Sequence, residues 1–126
     1  MNQTTLSPEL EDAIARRNVD RYSDGSLHLA NGKPVTTENV AAAVKNVHEQ
    51  SYGLNWRYAQ LETLRALPQD IDVDELRRHL VNDTRMTRRD DAIRQEEHQV
   101  RESLQYIADM ELALAESNNL TKEQTV

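Results

Sequence analysis

The chain has 126 residues, of which 37% are hydrophobic, with no Phe and a single Trp, and its formal net charge is −7. That length suits one domain better than two, the apolar fraction is lean for a self-sufficient core, and the sign of the charge disfavours nonspecific contact with nucleic-acid phosphates. The absence of cysteine excludes disulfides, thiolate catalysis and thiolate metal sites. No run approaches the ~18 consecutive apolar residues that span a bilayer, and residues 1–7 lack the charged-then-apolar layout of a secretory signal. These features predict no membrane partner, a cytoplasmic location and one helical domain over 1–126, with mobile ends at about 1–6 and 118–126.

The first element follows from Ser7-Pro8-Glu9: Ser caps a free amide, Pro is tolerated at the first helical position, and Glu complements the dipole. A short helix is expected over residues 8–18, with Leu10, Ile14 and Val19 as a thin stripe that must dock on something. Asp24-Gly25 and Asn31-Gly32 then bracket Ser26-Leu27-His28-Leu29. They predict a small β-hairpin or ordered loop near residues 21–35, with Pro34 restricting the returning strand to an edge. This arm either connects locally or reaches a neighbouring subunit.

Thr36 and Thr37 cap a second helix that Pro68 ends, expected over residues 37–66. Within it Val40, Val44, Val47, Leu54, Tyr58 and Leu61 alternate steps of four and three, with Ser51 in the remaining slot. That is the seam of a coiled coil or bundle, continuous enough to carry the helix through Gly53. Tyr52, Trp56, Ala59 and Thr63 project to another side and form a second strip, a candidate partner contact because Trp and Tyr are enriched at binding hot spots.

Asp72, Asp74 and Glu75 open a third helix over about 72–82, with Val73, Leu76 and Leu80 inward. Thr84 or Thr87 caps a final long helix to about Ser117, where Ile93, Val100, Leu104, Ile107 and Leu114 keep the spacing and Asn118-Asn119 supply a stop. The C-terminal quarter, 95–126, carries two basic and seven acidic side chains. Such a helix is a solvated face, a contact for a basic partner or a mimic of nucleic-acid charge. The predicted fold is all-α: a small helical bundle or long helical hairpin, with the 21–35 insertion.

Chemistry is sparse. Three residues before His48, His79 and His98 stand Lys45, Leu76 and Gln95, which is not the Glu-to-His spacing of a di-iron bundle. Glu75 with His79, and His98 with Glu102, are four apart and can pair along a helix face. No nucleophile elbow or phosphate loop is present, so no catalytic residue, metal ligand or cofactor is assigned. Arg85, Arg88 and Arg89, with Arg77 and Arg78 upstream, are candidate nucleic-acid contacts of a helix-turn-helix within 77–94. Acids interleave them, however, and residues 65–94 carry no net charge.

Asn55-Trp56, Ala59, Leu61, Ala66-Leu67-Pro68 and Asp70 resemble a segment of the small subunit of cobalamin-dependent diol and glycerol dehydratases, and Gly32-Lys33-Pro34 with Thr37-Glu38-Asn39-Val40 are loosely similar to its upstream stretch. The resemblance implies a noncatalytic subunit that brings helical contacts to a larger catalytic subunit. The sequence as a whole leads to a noncatalytic protein–protein interaction protein whose partner is a second copy of itself or a larger subunit, with a small DNA-binding regulator as the alternative.

Overall fold

A computed structural model of the chain describes residues 6–80 and 85–124, with backbone only from 119 onward. The described residues are mainly helical, and they divide into two compact units, one drawn from 1–45 and 104–126, the other from 46–103.

The first unit begins with helix α1, Pro8–Ala15. Its start is as the sequence predicts: the Ser7 hydroxyl accepts from the Leu10 amide at 3.1 Å, and Pro8 opens the first turn. Its end comes earlier than residue 18. Arg17 adopts φ 64°, its amide bonds the Ile14 carbonyl, and the Asn18 amide bonds that of Ala13. This pair of bonds closes a helix around a left-handed residue, a place that usually belongs to glycine. The chain then enters strand β1, Val19–Arg21, paired antiparallel with β2, Leu27–Leu29, in the register Val19 to Leu29, Asp20 to His28 and Arg21 to Leu27.

Both turn dipeptides are used. Asp24 accepts from the amide and hydroxyl of Ser26 beside Gly25 at φ 87°, while Asn31 Oδ1 accepts from the Lys33 amide at 2.9 Å beside Gly32 at φ 88°. The second turn brings Pro34 alongside His28. The expected hairpin is therefore present, although it starts at Val19 rather than near Arg21. Alternation buries Val19, Leu27 and Leu29. Helix α2, Thr37–Glu49, follows with Thr36 as its cap, the hydroxyl accepting from the Asn39 amide.

The second unit contains α3, Leu54–Ala66, the five-residue α4, Val73–Arg77, and the start of α5, Arg89–Gln124, which contributes residues to both units. Its core forms on Leu64, Leu76 and Ala92, with Leu67, Ile71, Leu80 and Ile93 packed against them. Asp72 caps α4 by accepting from the Asp74 amide. That helix stops at Arg77, five residues short of the expected end.

The single helix expected over 37–66 is not formed. It breaks between Glu49 and Leu54, so Val40, Val44 and Val47 lie on α2 while Leu54, Tyr58 and Leu61 lie on α3. Val40, Val47, Leu54 and Leu61 are buried, Val44 is half-buried, and Tyr58 is 44% exposed. Their spacing marks residues that are mostly buried, but it does not mark a coiled-coil seam. The break has a local cause. The Gly53 amide donates to the Gln50 carbonyl at 2.8 Å, closing a turn with Tyr52 at φ 60°. A side chain on Gly53 would place its first carbon 2.5 Å from the Val47 carbonyl oxygen and 2.9 Å from that of Gln50. Only glycine lets the chain pass so close to its own backbone.

Helix α5 also departs from expectation. It runs through Asn118 and Asn119 to Gln124 instead of stopping near Ser117, because Asn lowers helix propensity by only a fraction of the roughly 3 kcal/mol that proline imposes. Its buried line is Ala92, Glu96, Val100, Ile107, Met110 and Ala113, whereas Leu104 is exposed. Thr84, one of the two caps considered for this helix, lies outside the described residues.

Gly53→Ala should destabilise the protein by about 2 kcal/mol, since the colliding atoms are backbone and something must shift. The midpoint of chemical denaturation measures it. An unchanged midpoint would mean that the turn at 50–53 relaxes freely.

Candidate functional site

Helix α3 buries Leu54, Leu61 and Leu64 on one face. At 100° per residue, Trp56, Ala59 and Thr63 fall on the opposite side. Ala59 and Thr63 are exposed and Trp56 is half-buried. Tyr52 stands just before the helix, in the turn rather than on the helical face, and is 47% exposed. Its ring meets Trp56 edge to face, with centroids 4.9 Å apart and planes at 85°. The Arg57 guanidinium carbon lies 5.9 Å from the Trp56 ring centre, while its Nη1 donates to Glu96 at 3.0 Å. The Thr63 hydroxyl donates back to the Ala59 carbonyl at 3.1 Å. The four residues singled out from the sequence thus lie together as an apolar, partly aromatic surface.

Several acids of the C-terminal helix have partners among the described residues. Glu96 pairs with Arg57, Glu97 with Arg65 at 2.8 Å, and Glu102 with His98 at 3.7 Å. In the first unit Glu116 accepts from both the amide and the hydroxyl of Ser7, clamping the capped end of α1. Asp109, only 2% exposed, accepts four bonds: from Arg16 Nε at 3.0 Å, Arg16 Nη2 at 2.9 Å, Asn18 Nδ2 at 2.9 Å and Gln105 Nε2 at 2.8 Å. Burial works to raise its pKa, but the hydrogen bonds and the charge of Arg16 outweigh it and hold the carboxyl below the ordinary value. Sequence reasoning missed Asp109. The available signal was an acid set beside Met110 and one turn from Ala113, on the apolar side of its helix.

Glu75 pairs with Arg78 at 3.2 Å, so its expected place beside His79 is taken by an arginine. His28 stacks on Tyr22 with ring centroids 3.6 Å apart and planes at 6°. Among the described residues no group of three or more His, Asp or Glu side chains is placed to hold a metal ion.

In the arginine-rich segment α4 ends at Arg77 and α5 begins at Arg89, Arg85 and Arg88 stand on irregular backbone before α5, and residues 81–84 lie outside the described residues. Arg89 serves the fold. Its Nη1 donates to the Leu67 carbonyl at 2.9 Å and to the Arg65 carbonyl at 3.4 Å, placing a cation on the C-terminal end of α3, and its other nitrogens hold Asp90. That contact draws Asp90 below the ordinary carboxyl value.

No protein-family model, no curated protein and no solved structure matches this chain. The likeness of residues 32–40 and 55–70 to the dehydratase small subunit therefore rests on those residues alone.

Asp109→Ala should cost about 3 kcal/mol, the lower end for breaking a buried pair, because Arg16 is 41% exposed and can rehydrate. A lowered folded pKa means that the carboxylate contributes its full stability above about pH 4 and loses it as the pH falls through the folded value. Stability curves taken toward acid should thus fall more steeply for the wild type than for Asp109→Asn. Parallel curves would show that this carboxylate is not the titrating group.

Proposed function

We propose that this chain is a noncatalytic helical interaction protein that docks through Tyr52, Trp56, Ala59 and Thr63 on the outer side of α3, onto a second copy of itself or onto a larger subunit to which it is accessory. The observation that carries the reading is Tyr52. A bulky aromatic at φ 60° is in a conformation that costs an L-residue about 1–2 kcal/mol. Its ring is nearly half exposed and touches the outer side of α3, away from the buried leucines. Strain of this kind clusters at ligand clamps, active sites and switch regions. The rest of the strip supports the same use, since large aromatics beside small residues give a surface that a complementary helix can fill.

Charge supports the reading too. Arg57, whose guanidinium lies beside the Trp56 ring, holds Glu96. With that cation already paired, the strip offers a partner mainly apolar and aromatic surface.

Tyr52→Gly separates the two roles of this position. Glycine relieves the left-handed strain and gives back part of that gain as unfolded-state entropy, so the variant should be as stable as the wild type or up to about 1 kcal/mol more stable. It should nevertheless weaken association by about thirtyfold, the loss of a hot spot worth about 2 kcal/mol. Light scattering across a concentration series reads the mass against the 14.5 kDa of one chain, and Trp56 emission should shift to the blue as the assembly forms. A wild type that stays at the mass of one chain and retains no partner from its native extract would sink the proposal, as would a variant that associates as tightly as the wild type.

A further inference from the structure

Asn31-Gly32 is the only Asn-Gly dipeptide in the chain, and its surroundings differ from those of the other described asparagines. Asn39, Asn46 and Asn118 lie within α2 or α5, where the next amide is held by the helix, Asn55 lies in the first turn of α3, and Asn39, Asn46 and Asn55 are each followed by Val or Trp, whose bulk crowds that nitrogen. Asn18 is anchored on Asp109. Asn31 sits on an exposed turn whose neighbours from Ala30 to Pro34 are also exposed. Gly32 bears no side chain to shield its amide. The Lys33 amide donates to Asn31 Oδ1 at 2.9 Å and so polarises the side-chain carbonyl toward attack. One restraint opposes reaction, the bond from the Gly32 amide to the Leu29 carbonyl at 2.9 Å, which an exposed turn opens readily.

We infer that Asn31 is a site of self-modification, at which the Gly32 amide converts the asparagine through a cyclic imide into aspartate and isoaspartate. The Gly32 nitrogen, its proton taken by solvent base, forms a bond to Asn31 Cγ, and the bond from Cγ to the side-chain nitrogen breaks as that nitrogen leaves as ammonia. Water then adds to either carbonyl of the five-membered ring and one ring C–N bond breaks. The net change is amide plus water giving acid plus ammonia, with no redox step. Opening on one side yields an ordinary aspartate at this position, which keeps an acceptor for the Lys33 amide. Opening on the other yields isoaspartate, which lengthens the main chain by one methylene. That product cannot keep both the Gly32-to-Leu29 bond and the Leu29-to-Lys33 bond that closes this turn. Buried Leu29 and Val35 flank it, so isoaspartate loosens the hairpin where it meets its core. Either product adds a negative charge.

The test is to age the purified full chain in mildly alkaline buffer at physiological temperature and map the tryptic peptide that runs from Tyr22 to Lys45. It should gain the mass of an amide-to-acid conversion and split into two species, with fragment ions placing the change at Asn31 and not at Asn39. The rate should rise with pH and lie within about tenfold of that of an unfolded peptide covering residues 28–35, a factor equivalent to about 1.4 kcal/mol of protection. Asn31→Gln should abolish it, because the larger ring closes slowly. Gly32→Ala should slow it, with circular dichroism confirming that the variant folds. Asn31 remaining intact after the peptide has fully converted would overturn the inference, and so would equal conversion at Asn39.

Discussion

The carboxylate of Asp109 is the most deeply buried charge among the described residues, and removing it from water is tolerable only because four donors meet it. Two come from Arg16, one from Asn18 and one from Gln105 on its own helix. Residues two apart on a helix do not face the same way. Arg16 and Asn18 reach one carboxylate because Arg17 between them turns left-handed and ends α1. The strain at Arg17 and the burial of Asp109 are thus one arrangement: the turn makes the donors converge, and the convergence holds the turn. Val19 follows at once, buried, so the same arrangement sets where β1 starts and which residues of the hairpin face inward.

A second left-handed residue stands at Tyr52, in different surroundings. Around Arg17 the flanking side chains enter a saturated hydrogen-bond cluster that offsets the backbone cost. Around Tyr52 the turn itself needs only the Gly53 amide on the Gln50 carbonyl, together with the clearance that Gly53 provides. Glycine at 52 would make the same turn more comfortably. The aromatic side chain therefore has no folding role comparable to that of Arg16 or Asn18, which is why this position carries the functional reading.

What could be read from the sequence was local. Ser7, Thr36 and Asp72 cap their helices because a cap bonds an amide two or three residues away, and Asp24-Gly25 and Asn31-Gly32 make turns because positive φ is a property of the dipeptide. The helix break at 50–53 was hidden because the alternation of threes and fours continues across it, from Val47 to Leu54, as if nothing intervened. The inner line of α5 was hidden for another reason. It is built in part of small and charged residues, Ala92, Glu96 and Ala113, while the larger Leu104 that attracts a hydrophobic count points to solvent. The partner of Asp109 lies 93 residues away in the chain. No spacing rule reaches that far, so the most deeply buried polar cluster of the first unit left no pattern to find. The strip of Tyr52, Trp56, Ala59 and Thr63 was legible as a set of residues, though Tyr52 belongs to the turn and not to the helix face.

Net charge is the feature whose meaning changes most. A chain at −7 with its excess in the last helix invites the idea of an acidic surface awaiting a basic partner. Glu96, Glu97, Asp109 and Glu116 instead close contacts with Arg57, Arg65, Arg16 and Ser7. Arg89, the most suggestive basic residue, is turned onto the carbonyls that end α3. Ion pairs that close a fold do little to choose a partner, because their geometry is already taken and their fields largely cancel at a distance beyond the Debye length of about 8 Å. In the proposed docking, selectivity falls to shape and apolar contact, where rigidity matters more than charge. On that proposal, a tyrosine fixed by a strained turn against a tryptophan on a helix would lose little conformational freedom on binding, so the backbone cost carried in the free chain would lower the ordering cost of association.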